Sequence, residues 1–331
     1  MVYDCFTFFN ELDLLEIRLN TLKGVVDRFV IAEATRTHTG KPKELIFERN
    51  RGRYAEFGDK IVYVVVDNLL PEEEVAKDSY NLPWVNENRQ RNALIKGLMN
   101  LDDGDVFIVS DVDEIPRPEC VRDAVALAKE GECVRFEMET FVYYINFKDY
   151  RNPCWYLGSI AIAWKTFCSS GRLDAVPFDR FTVRSECQGN VIQKVRFLHP
   201  TMLLKRAGWH MTYMGGGKRI KEKILAFSHQ EAMVSINSIE DRLARGENVL
   251  NGRRDNFAVR LEAGAFPEYI INNKDKFREL IFPVSDEYLK ATRFKRIVVS
   301  AKGWVYHFLV KLVPHWLEPP LIALRQKLSF R

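Results

Sequence analysis

The chain has 331 residues, a formal net charge of +4, 47% hydrophobic residues and 28% charged residues. These values are ordinary for a globular protein, so they exclude a disordered chain, and the charge is far below that of a nucleic-acid-binding domain. Six scattered cysteines without zinc-like spacing fit a reducing compartment, so a cytoplasmic protein is expected. The first residues lack the pattern of a signal peptide, and no apolar stretch reaches the roughly 20 residues that a membrane span needs.

The first third of the sequence alternates between strand-like and helix-like segments. Runs of β-branched and aromatic residues predict strands, and leucines at helical spacing predict helices. In chain order, strands are expected at residues 2–9, 28–34, 60–66 and 106–109, and helices at residues 11–22 and 86–99. Asn10 stands where it would cap the first helix. The alternation predicts an α/β protein with a Rossmann-like sheet.

The chain is organised around residues 105–114, which read Asp-Val-Phe-Ile-Val-Ser-Asp-Val-Asp-Glu. Residues 106–109 are apolar on both faces, which is typical of a buried parallel strand. Asp111, Asp113 and Glu114 follow where such a strand reaches the ligand crevice of an open α/β sheet. Crowded carboxylates are relieved by a hard divalent cation shared with phosphate oxygens. Two hypotheses stay open here: a metal site, or a helix cap at Asp111 followed by solvated acids.

The second half of the sequence is rich in aromatic residues and predicts a mixed sheet with long loops. A helix is expected at residues 117–129, and strand-like segments at residues 132–147, 155–167, 178–184 and 191–198. Trp155, Trp164 and Trp209 are candidates to stack on sugar rings. The competing interpretation is that aromatic residues at strand spacing form the core.

Three consecutive glycines at residues 215–217 open a basic helix. Gly215 and Gly216 would let an anion approach the backbone at the helix N-terminus, and Lys218 and Arg219 add positive charge there. The alternative is a glycine turn before a solvated basic helix. Together with the acids at 111–114, the stretch predicts a clamp for a metal-bound diphosphate.

Basic residues are concentrated in residues 290–331, where Trp304, Tyr306, Phe308 and Trp316 also occur. Residues 256–282, before them, are expected to be helical in part. Two interpretations of the terminal segment stay open. It lies in the interface of an anionic membrane leaflet, or it packs on the domain or on a second subunit.

Several blocks of sequence, in a fixed order, resemble a known family. They are Tyr-Asp-Cys-Phe-Thr-Phe-Phe-Asn-Glu at 3–11, Glu-Ala-Thr-Arg-Thr-His-Thr-Gly-Lys-Pro at 33–42, Gln-Arg-Asn at 90–92, Ser-Asp-Val-Asp-Glu-Ile-Pro at 110–116, and the stretch from Gly-Trp-His at 208–210 to Ser-His-Gln-Glu at 228–231. On these blocks the chain resembles glycosyltransferase family 17, the bisecting N-acetylglucosaminyltransferase family, in a bacterial-type form.

The resemblance implies a GT-A-type fold, which is a Rossmann-like nucleotide-sugar-binding α/β fold with a mixed central sheet, here with a C-terminal helical extension. It implies a glycosyltransferase domain at 1–272, with a nucleotide-binding half at 1–116 and an acceptor-binding half at 117–272. A basic, aromatic extension at 273–331 follows, with a contact to a membrane surface or to a second subunit.

The implied activity is an inverting, metal-dependent transfer of N-acetylglucosamine from UDP-N-acetylglucosamine to a sugar hydroxyl. The acceptor would be a glycan or a lipid-linked or polysaccharide precursor, and the cofactor Mn²⁺ or Mg²⁺. The protein is expected in the cytoplasm, with peripheral contact at the inner face of the membrane through the extension. An oligomer is compatible with the sequence, and a nucleic-acid partner is not expected.

The resemblance and the residue chemistry together give an expected role to each candidate site residue. The expected metal ligands are Asp111, Asp113, His210 and His229. The expected donor contacts are Asn10, Glu33, Arg91, Asp111, Gly215, Gly216, Lys218 and Arg219. The expected acceptor contacts are Trp155, Trp164 and Trp209. The general base is expected to be Glu231, with Asp179 and Glu139 as second choices.

Two other classes of function use the same features. Another metal-dependent phosphoryl-transfer enzyme or nucleotide-sugar hydrolase would also need clustered acids and a glycine turn. A non-catalytic carbohydrate-binding protein on the same fold would bind glycan without a metal.

Overall fold

The computed structural model of the chain describes residues 1–169, 192–197, 200–228, 239–244, 247–249 and 252–311. The strands in these ranges are β1 Val2–Phe8, β2 Arg28–Ala34, β3 Ile61–Val66, β4 Val106–Asp111, β5 Glu114–Pro116, β6 Val134–Val142, β7 Phe147–Asp149, β8 Cys154–Trp155, β9 Ile160–Ala163, β10 Met202–Thr212 and β11 Asn256–Ala258. The α-helices are α1 Leu12–Leu22, α2 Ile46–Arg49, α3 Glu72–Val75, α4 Leu82–Asn92, α5 Pro118–Lys129, α6 Trp164–Ser169, α7 Ile192–Phe197, α8 Gly216–Ala226, α9 Ile239–Ala244, α10 Glu268–Asn272 and α11 Asp286–Lys311.

The described strands form one mixed sheet with the order β11-β7-β6-β9-β4-β1-β2-β3, and β5, β8 and β10 pair off this path. β4, β1, β2 and β3 run parallel to one another, as strands joined by helical crossovers do. β9 is antiparallel to both β4 and β6, which makes the second half of the sheet mixed. The predicted α/β fold with a mixed central sheet is confirmed.

Both faces of the parallel strands are buried, because side chains alternate between the faces and helices cover each one. Phe6 and Phe8 on β1 share a core cluster with Leu15 of α1 and Val121 of α5. Cys5, from the other face of β1, belongs to a second cluster with Leu94, Phe107, Phe167 and Ile192, among others. The near-continuous apolar strands of the sequence are thus explained by burial on two sides.

The register of the parallel strands places one edge of the sheet at the acidic segment. Thr7 near the end of β1 is opposite Asp111 at the end of β4. Both strands run parallel, so their carboxyl ends meet at this edge, which is where open α/β sheets hold ligands.

Several expected elements differ from those observed. Residues 191–198, expected as a strand, contain the helix α7, and α7 packs near α4. The helix expected at 86–99 begins earlier, at Leu82, and passes into a 3₁₀ helix at Ala93–Leu98. The segment 155–167, expected to be strand-like throughout, contains β9 and then turns into α6. The expected strand at 178–184 lies outside the described residues.

The prediction that Asn10 caps the first helix is wrong. α1 begins at Leu12, Glu11 is the N-cap residue, and neither Asn10 nor Glu11 makes a side-chain cap bond to the helix. Instead, the Glu11 carboxylate accepts the backbone N–H groups of Phe9 and Asn10, at 3.1 and 3.0 Å. The carboxylate therefore fixes the turn between β1 and α1.

The chain continues as β11, α10 and a short 3₁₀ helix at Arg278–Leu280, so residues 256–282 are helical only in part, as expected. The long helix α11 follows, and residues 312–331 lie outside the described residues. Among the described helices, none has the length and apolar content that crossing a membrane requires. The division at residue 272 stays a prediction.

Candidate active site

A cavity of about 460 Å³ opens at the edge of the sheet where β1 and β4 end. Its volume falls within the usual range of about 300–1,000 Å³ for ligand sites. Its ionisable wall residues include Glu11, His38, Glu87, Arg91, Asp111, Asp113, Asp149, His210 and Lys223. Groups of both charges therefore face one space, as in a site for a polar ligand, at the edge of the sheet that the sequence predicts.

Asp111 is held by two buried arginines. Its Oδ1 accepts hydrogen bonds from Arg91 Nη1 at 2.7 Å and from the Thr7 hydroxyl at 3.1 Å. Its Oδ2 lies 3.0 Å from Arg196 Nη1. Burial acts to raise the pKa of Asp111, but Arg196 and Arg91 outweigh it and hold the pKa well below its ordinary value. Asp111 is therefore ionised and already paired through both oxygens.

Asp113 faces a lysine and a histidine. Lys223 Nζ donates to Asp113 Oδ2 at 2.8 Å and lies 3.2 Å from Glu11 Oε1. His210 Nε2 lies 4.0 Å from Asp113 Oδ1. Burial acts to raise the pKa of Asp113, and Lys223 and His210 together lower it below its ordinary value. The crowding of acids predicted from the sequence is thus relieved in part by basic side chains.

Glu114, the third acid of the segment, is fully buried. Its Oε1 accepts hydrogen bonds from Trp155 Nε1 at 2.7 Å and Arg196 Nη2 at 2.8 Å. Its Oε2 accepts the backbone N–H of Asp111 at 3.1 Å. Glu114 therefore positions its neighbours and does not face the cavity.

A buried arginine holds the backbone of the acidic segment in place. Arg18 on α1 pairs with Asp4 at 2.5 Å, and both side chains are inaccessible to solvent. Its Nη1 donates to the carbonyl oxygens of Asp111 and Glu114, at 2.9 and 2.6 Å. The turn that presents Asp111 and Asp113 is thus fixed from behind by one guanidinium.

Strand alternation decides which predicted residues reach the cavity. On β10, His210 lines the cavity and Trp209 points to the other side of the strand. Trp209 is buried there, donates to the Ala265 carbonyl oxygen at 2.8 Å and packs on Arg117. On β6, Thr140 lines the cavity. Glu139, the preceding residue, instead pairs with Arg117 and Lys148 on the opposite side.

The other predicted acceptor residues divide in the same way. Trp155 lines the cavity and its ring stacks on His210, with ring centroids 4.5 Å apart. Trp164 packs on Phe107 and Phe167 and does not line the cavity. The competing interpretation of aromatic residues as core is thus the better one for Trp164 and Trp209.

The glycine-opened helix forms as predicted, but another residue of it reaches the site. Gly215 and Gly216 have φ of 98° and 79°, a conformation that favours glycine, and α8 follows directly. Lys218 is exposed, and Arg219 turns to Asp13 at 3.1 Å. Lys223, one turn beyond Arg219, is the basic residue of α8 that reaches the cavity. The basic character of the helix was the available signal, and only the packing of the helix selects Lys223.

Glu33 and Asn10, like Gly215, Gly216, Lys218 and Arg219, are predicted donor contacts that do not line the cavity. The Glu33 side chain is fully buried and accepts hydrogen bonds from Lys43 Nζ at 2.9 Å, the Tyr63 hydroxyl at 2.9 Å and the backbone N–H of Ile46 at 2.6 Å. Its carboxylate therefore anchors the segment after β2. Asn10 borders a separate, small cavity, where its Nδ2 lies 3.4 Å from Glu222 Oε2.

The expected base Glu231, the alternative Asp179 and the expected ligand His229 lie outside the described residues. Asp149, at the end of β7, lines the cavity and was not indicated by the sequence. Its Oδ1 accepts the backbone N–H groups of Arg151 and Asn152, both at 2.8 Å, and it forms no ion pair with a described residue. Burial raises the pKa of Asp149 and the two N–H groups offset only part of the rise.

A divalent cation is the cofactor expected at the acidic segment. Within the described residues, no group of three His, Cys, Asp or Glu side chains is placed to hold a metal ion. Asp113 and His210 are the side chains of this wall that would hold such a cation, because both line the cavity, face each other across 4.0 Å and carry oxygen and imidazole ligands. A cation of this kind commonly takes its other ligands from water and substrate phosphates. Asp111 does not fit, because both of its oxygens are paired with arginine.

Sequence blocks far apart in the chain meet at this cavity. Thr7, His38 and Arg91 line it from the first three blocks of the family resemblance, and Asp111 and His210 from the last two. Contacts join the blocks directly: His38 Nε2 lies 2.8 Å from Gln90 Oε1, and Arg91 Nη1 donates to Asp111 Oδ1 at 2.7 Å. Each block that resembles the family therefore contributes residues to one site.

Comparisons with known proteins agree with this resemblance. Residues 1–163 match the model of "Glycosyltransferase family 17". Beta-1,4-mannosyl-glycoprotein 4-beta-N-acetylglucosaminyltransferase from Homo sapiens is 34% identical over 126 residues, which are 36% of this chain and 22% of that protein. The Rattus norvegicus protein of the same name gives the same identity and coverage. The chain thus spans less than a quarter of the length of these relatives.

Among solved structures, residues 1–349 of TarS from S. aureus show 11% sequence identity and a TM-score of 0.35, with 92% of this chain and 88% of that chain covered.

Proposed function

We propose, from the premise that residues 1–163 match glycosyltransferase family 17, that this protein transfers N-acetylglucosamine from UDP-N-acetylglucosamine to a saccharide hydroxyl with inversion. The observation that carries the proposal is the meeting of all the family-like blocks at one cavity. The choice of N-acetylglucosamine follows the printed names of the mammalian relatives. The acceptor is a glycan or a lipid-linked saccharide precursor.

The donor diphosphate is placed at the acidic segment. Asp113 and His210 would hold Mn²⁺ or Mg²⁺, and such a cation would neutralise charge on the leaving diphosphate. Lys223 and Arg91 are two of the basic residues in the wall of the same cavity, and they contact Asp113 and Asp111, so they bind the phosphates there and keep them oriented. Asp111 acts indirectly, since it fixes Arg91 and Arg196 through its two oxygens.

Asp149 is the general base of this proposal. A base must be ionised, lie in the cavity and have an oxygen available for the acceptor hydroxyl. Asp149 is buried, holds its two backbone N–H groups through Oδ1 alone and has no cationic partner among the described residues. It takes the proton of the hydroxyl as that oxygen bonds to the anomeric carbon and the bond to UDP breaks. Trp155, on the same wall, supports the face of a sugar ring.

The test measures donor binding and turnover together. The purified protein is titrated by calorimetry with UDP-N-acetylglucosamine, UDP-glucose, UDP-galactose and GDP-mannose, each with and without Mn²⁺. Release of UDP is then followed with and without saccharide acceptors. Metal-dependent binding of UDP-N-acetylglucosamine and acceptor-dependent release of UDP are expected.

Two results would replace the proposal. Release of UDP that is independent of every acceptor would identify a hydrolase, and glycan binding without metal or donor would identify a binding protein. The Asp113→Asn variant tests the metal-binding role of Asp113, since it keeps the shape of the side chain and removes the charge. It is expected to lose metal-dependent donor binding and at least about a hundredfold in turnover, with an unchanged circular dichroism spectrum.

A further inference from the structure

The helix α11 is attached to the rest of the protein along one side. Gly303 packs so closely that a Cβ atom there would lie 2.4 Å from the Arg151 carbonyl oxygen. The Tyr288 hydroxyl accepts the backbone N–H of Ala258 at 3.0 Å. Arg296 donates to the Tyr150 hydroxyl at 3.4 Å. These contacts define the packed side of α11.

The other side of α11 exposes a stripe of large apolar residues. Phe294 is 74% exposed, Ile297 60%, Trp304 70% and Val305 50%. Their spacing of three, seven and one residues places them on one side of a helix with 3.6 residues per turn. Phe294 lies two and a half turns before Gly303, so the stripe faces away from the packed side. Large apolar side chains that are exposed to this extent indicate a surface that binds another protein or a membrane.

The same helix is strongly basic. After Asp286 and Glu287 in its first turn, α11 has no acidic residue. Its basic residues are Lys290, Arg293, Lys295, Arg296, Lys302 and Lys311. Lys290, Arg293, Lys295 and Lys302 are exposed and form no ion pair with a described residue. Apolar residues on one side, with basic residues along them, are the pattern of a helix that lies in the interface of an anionic bilayer.

We propose that α11 binds the surface of an anionic lipid bilayer, with Phe294, Ile297, Trp304 and Val305 inserted at the acyl boundary and the exposed lysines and arginine at the headgroups. Charge separates this occupant from a second copy of the chain. A symmetric dimer through the stripe would place two helices of the same strong positive charge against each other, without acids on α11 beyond its first turn to compensate. Anionic headgroups supply the missing negative charge. The inference does not depend on the proposed transfer.

The experiment uses the full chain in co-sedimentation with vesicles, at 0.15 M salt. One set of vesicles contains phosphatidylcholine with about 30% phosphatidylserine, and the other contains phosphatidylcholine alone. The apolar variant is Phe294→Ser/Ile297→Ser/Val305→Ser, and the charge variant is Arg293→Gln/Lys295→Gln/Lys302→Gln. The matched controls are Met99→Ser for an exposed apolar residue elsewhere and Lys96→Gln/Lys129→Gln/Lys165→Gln for exposed lysines elsewhere.

The wild type is expected to bind only the vesicles that contain phosphatidylserine. Both α11 variants should lose at least about tenfold in binding, since each basic residue and each inserted apolar side chain adds to the affinity. The control variants and Asp113→Asn should bind as the wild type does. The substituted side chains are exposed, so the folded state and the wild-type thermal midpoint are expected to be kept.

Three results would overturn the proposal. The first is equal binding to both kinds of vesicle, and the second is binding that the apolar variant does not weaken. The third is a wild type that binds no vesicles; sedimentation as a dimer in analytical ultracentrifugation, with the apolar variant a monomer, would then show that a second copy covers the stripe.

Discussion

Replacing Arg18 with methionine should separate the stability of this fold from the function of its site. Arg18 and Asp4 form a buried ion pair at 2.5 Å with neither side chain accessible to solvent. Arg18→Met leaves the Asp4 carboxylate buried without its cation. Removing one partner of a buried pair costs about 3–5 kcal/mol, which is a large part of the free energy of unfolding of a typical domain.

The second member of the comparison is Asp4→Leu/Arg18→Met, which removes both charges. Replacing a buried pair with apolar side chains is often close to neutral, so the double variant should recover the part of the lost stability that comes from the unpaired Asp4 carboxylate. It should not recover activity. The carbonyl oxygens of Asp111 and Glu114 lose their donor in both variants, and the turn that presents Asp111 and Asp113 is no longer fixed.

Urea unfolding, followed by tryptophan fluorescence, measures the loss of stability. With a slope of about 3 kcal/mol per molar urea, Arg18→Met should lower the midpoint by about 1–1.7 M. Turnover of UDP-N-acetylglucosamine measures the effect on the site. A single variant that unfolds within about 1 kcal/mol of the wild type, or a double variant as unstable as the single one, would refute this role of Arg18.

Two further predictions concern residues of the cavity wall. Asp149→Asn keeps an oxygen that accepts the two backbone N–H groups and removes the proposed base, so turnover should fall by about 10²–10⁴ with little change in donor affinity. Burial raises the folded-state pKa of Asp149, so the native state binds the Asp149 proton more tightly than the unfolded chain does. The ionised carboxylate therefore lowers the free energy of unfolding above the folded-state pKa, and this loss of stability is absent below the unfolded-state pKa. Asp149→Asn should therefore unfold at equal or higher urea at pH 7, and a less stable variant would contradict this. Lys223→Gln should raise the KM for the donor at least about tenfold, because Lys223 is the lysine that contacts Asp113. Lys221→Gln, an exposed lysine on the same helix, is its control, and equal effects of the two changes would remove Lys223 from the site.

The sequence predicted the framework of the site well. The apolar run before Asp111 indicates a buried strand, and the parallel pairing of β1 with β4 then brings Thr7 opposite Asp111. These are local patterns, and burial on two faces leaves a clear composition in each strand. The presence of Asp111, Asp113 and His210 at one cavity follows the same framework.

The sequence did not show which side of a strand faces the cavity. Glu139 and Trp209 were expected in the site, yet their neighbours Thr140 and His210 occupy it. On β6 the polar Arg135, Glu137 and Glu139 alternate with the apolar Phe136 and Met138, but both faces of the strand are buried, so the alternation does not show which face borders the cavity. A similar limit applies to Glu33, whose buried partners come from the segment that follows it.

By itself the sequence determined the α/β class, the parallel strands of the first half and the acidic edge, because these depend on hydrophobic patterns within a few residues. Only the tertiary structure decided the charge balance of the site. Arg196 and Lys223 reach Asp111 and Asp113 from about 80 to 110 residues away along the chain. Contacts at that separation depend on how helices pack against the sheet, and side-chain type alone does not specify which lysine or arginine arrives.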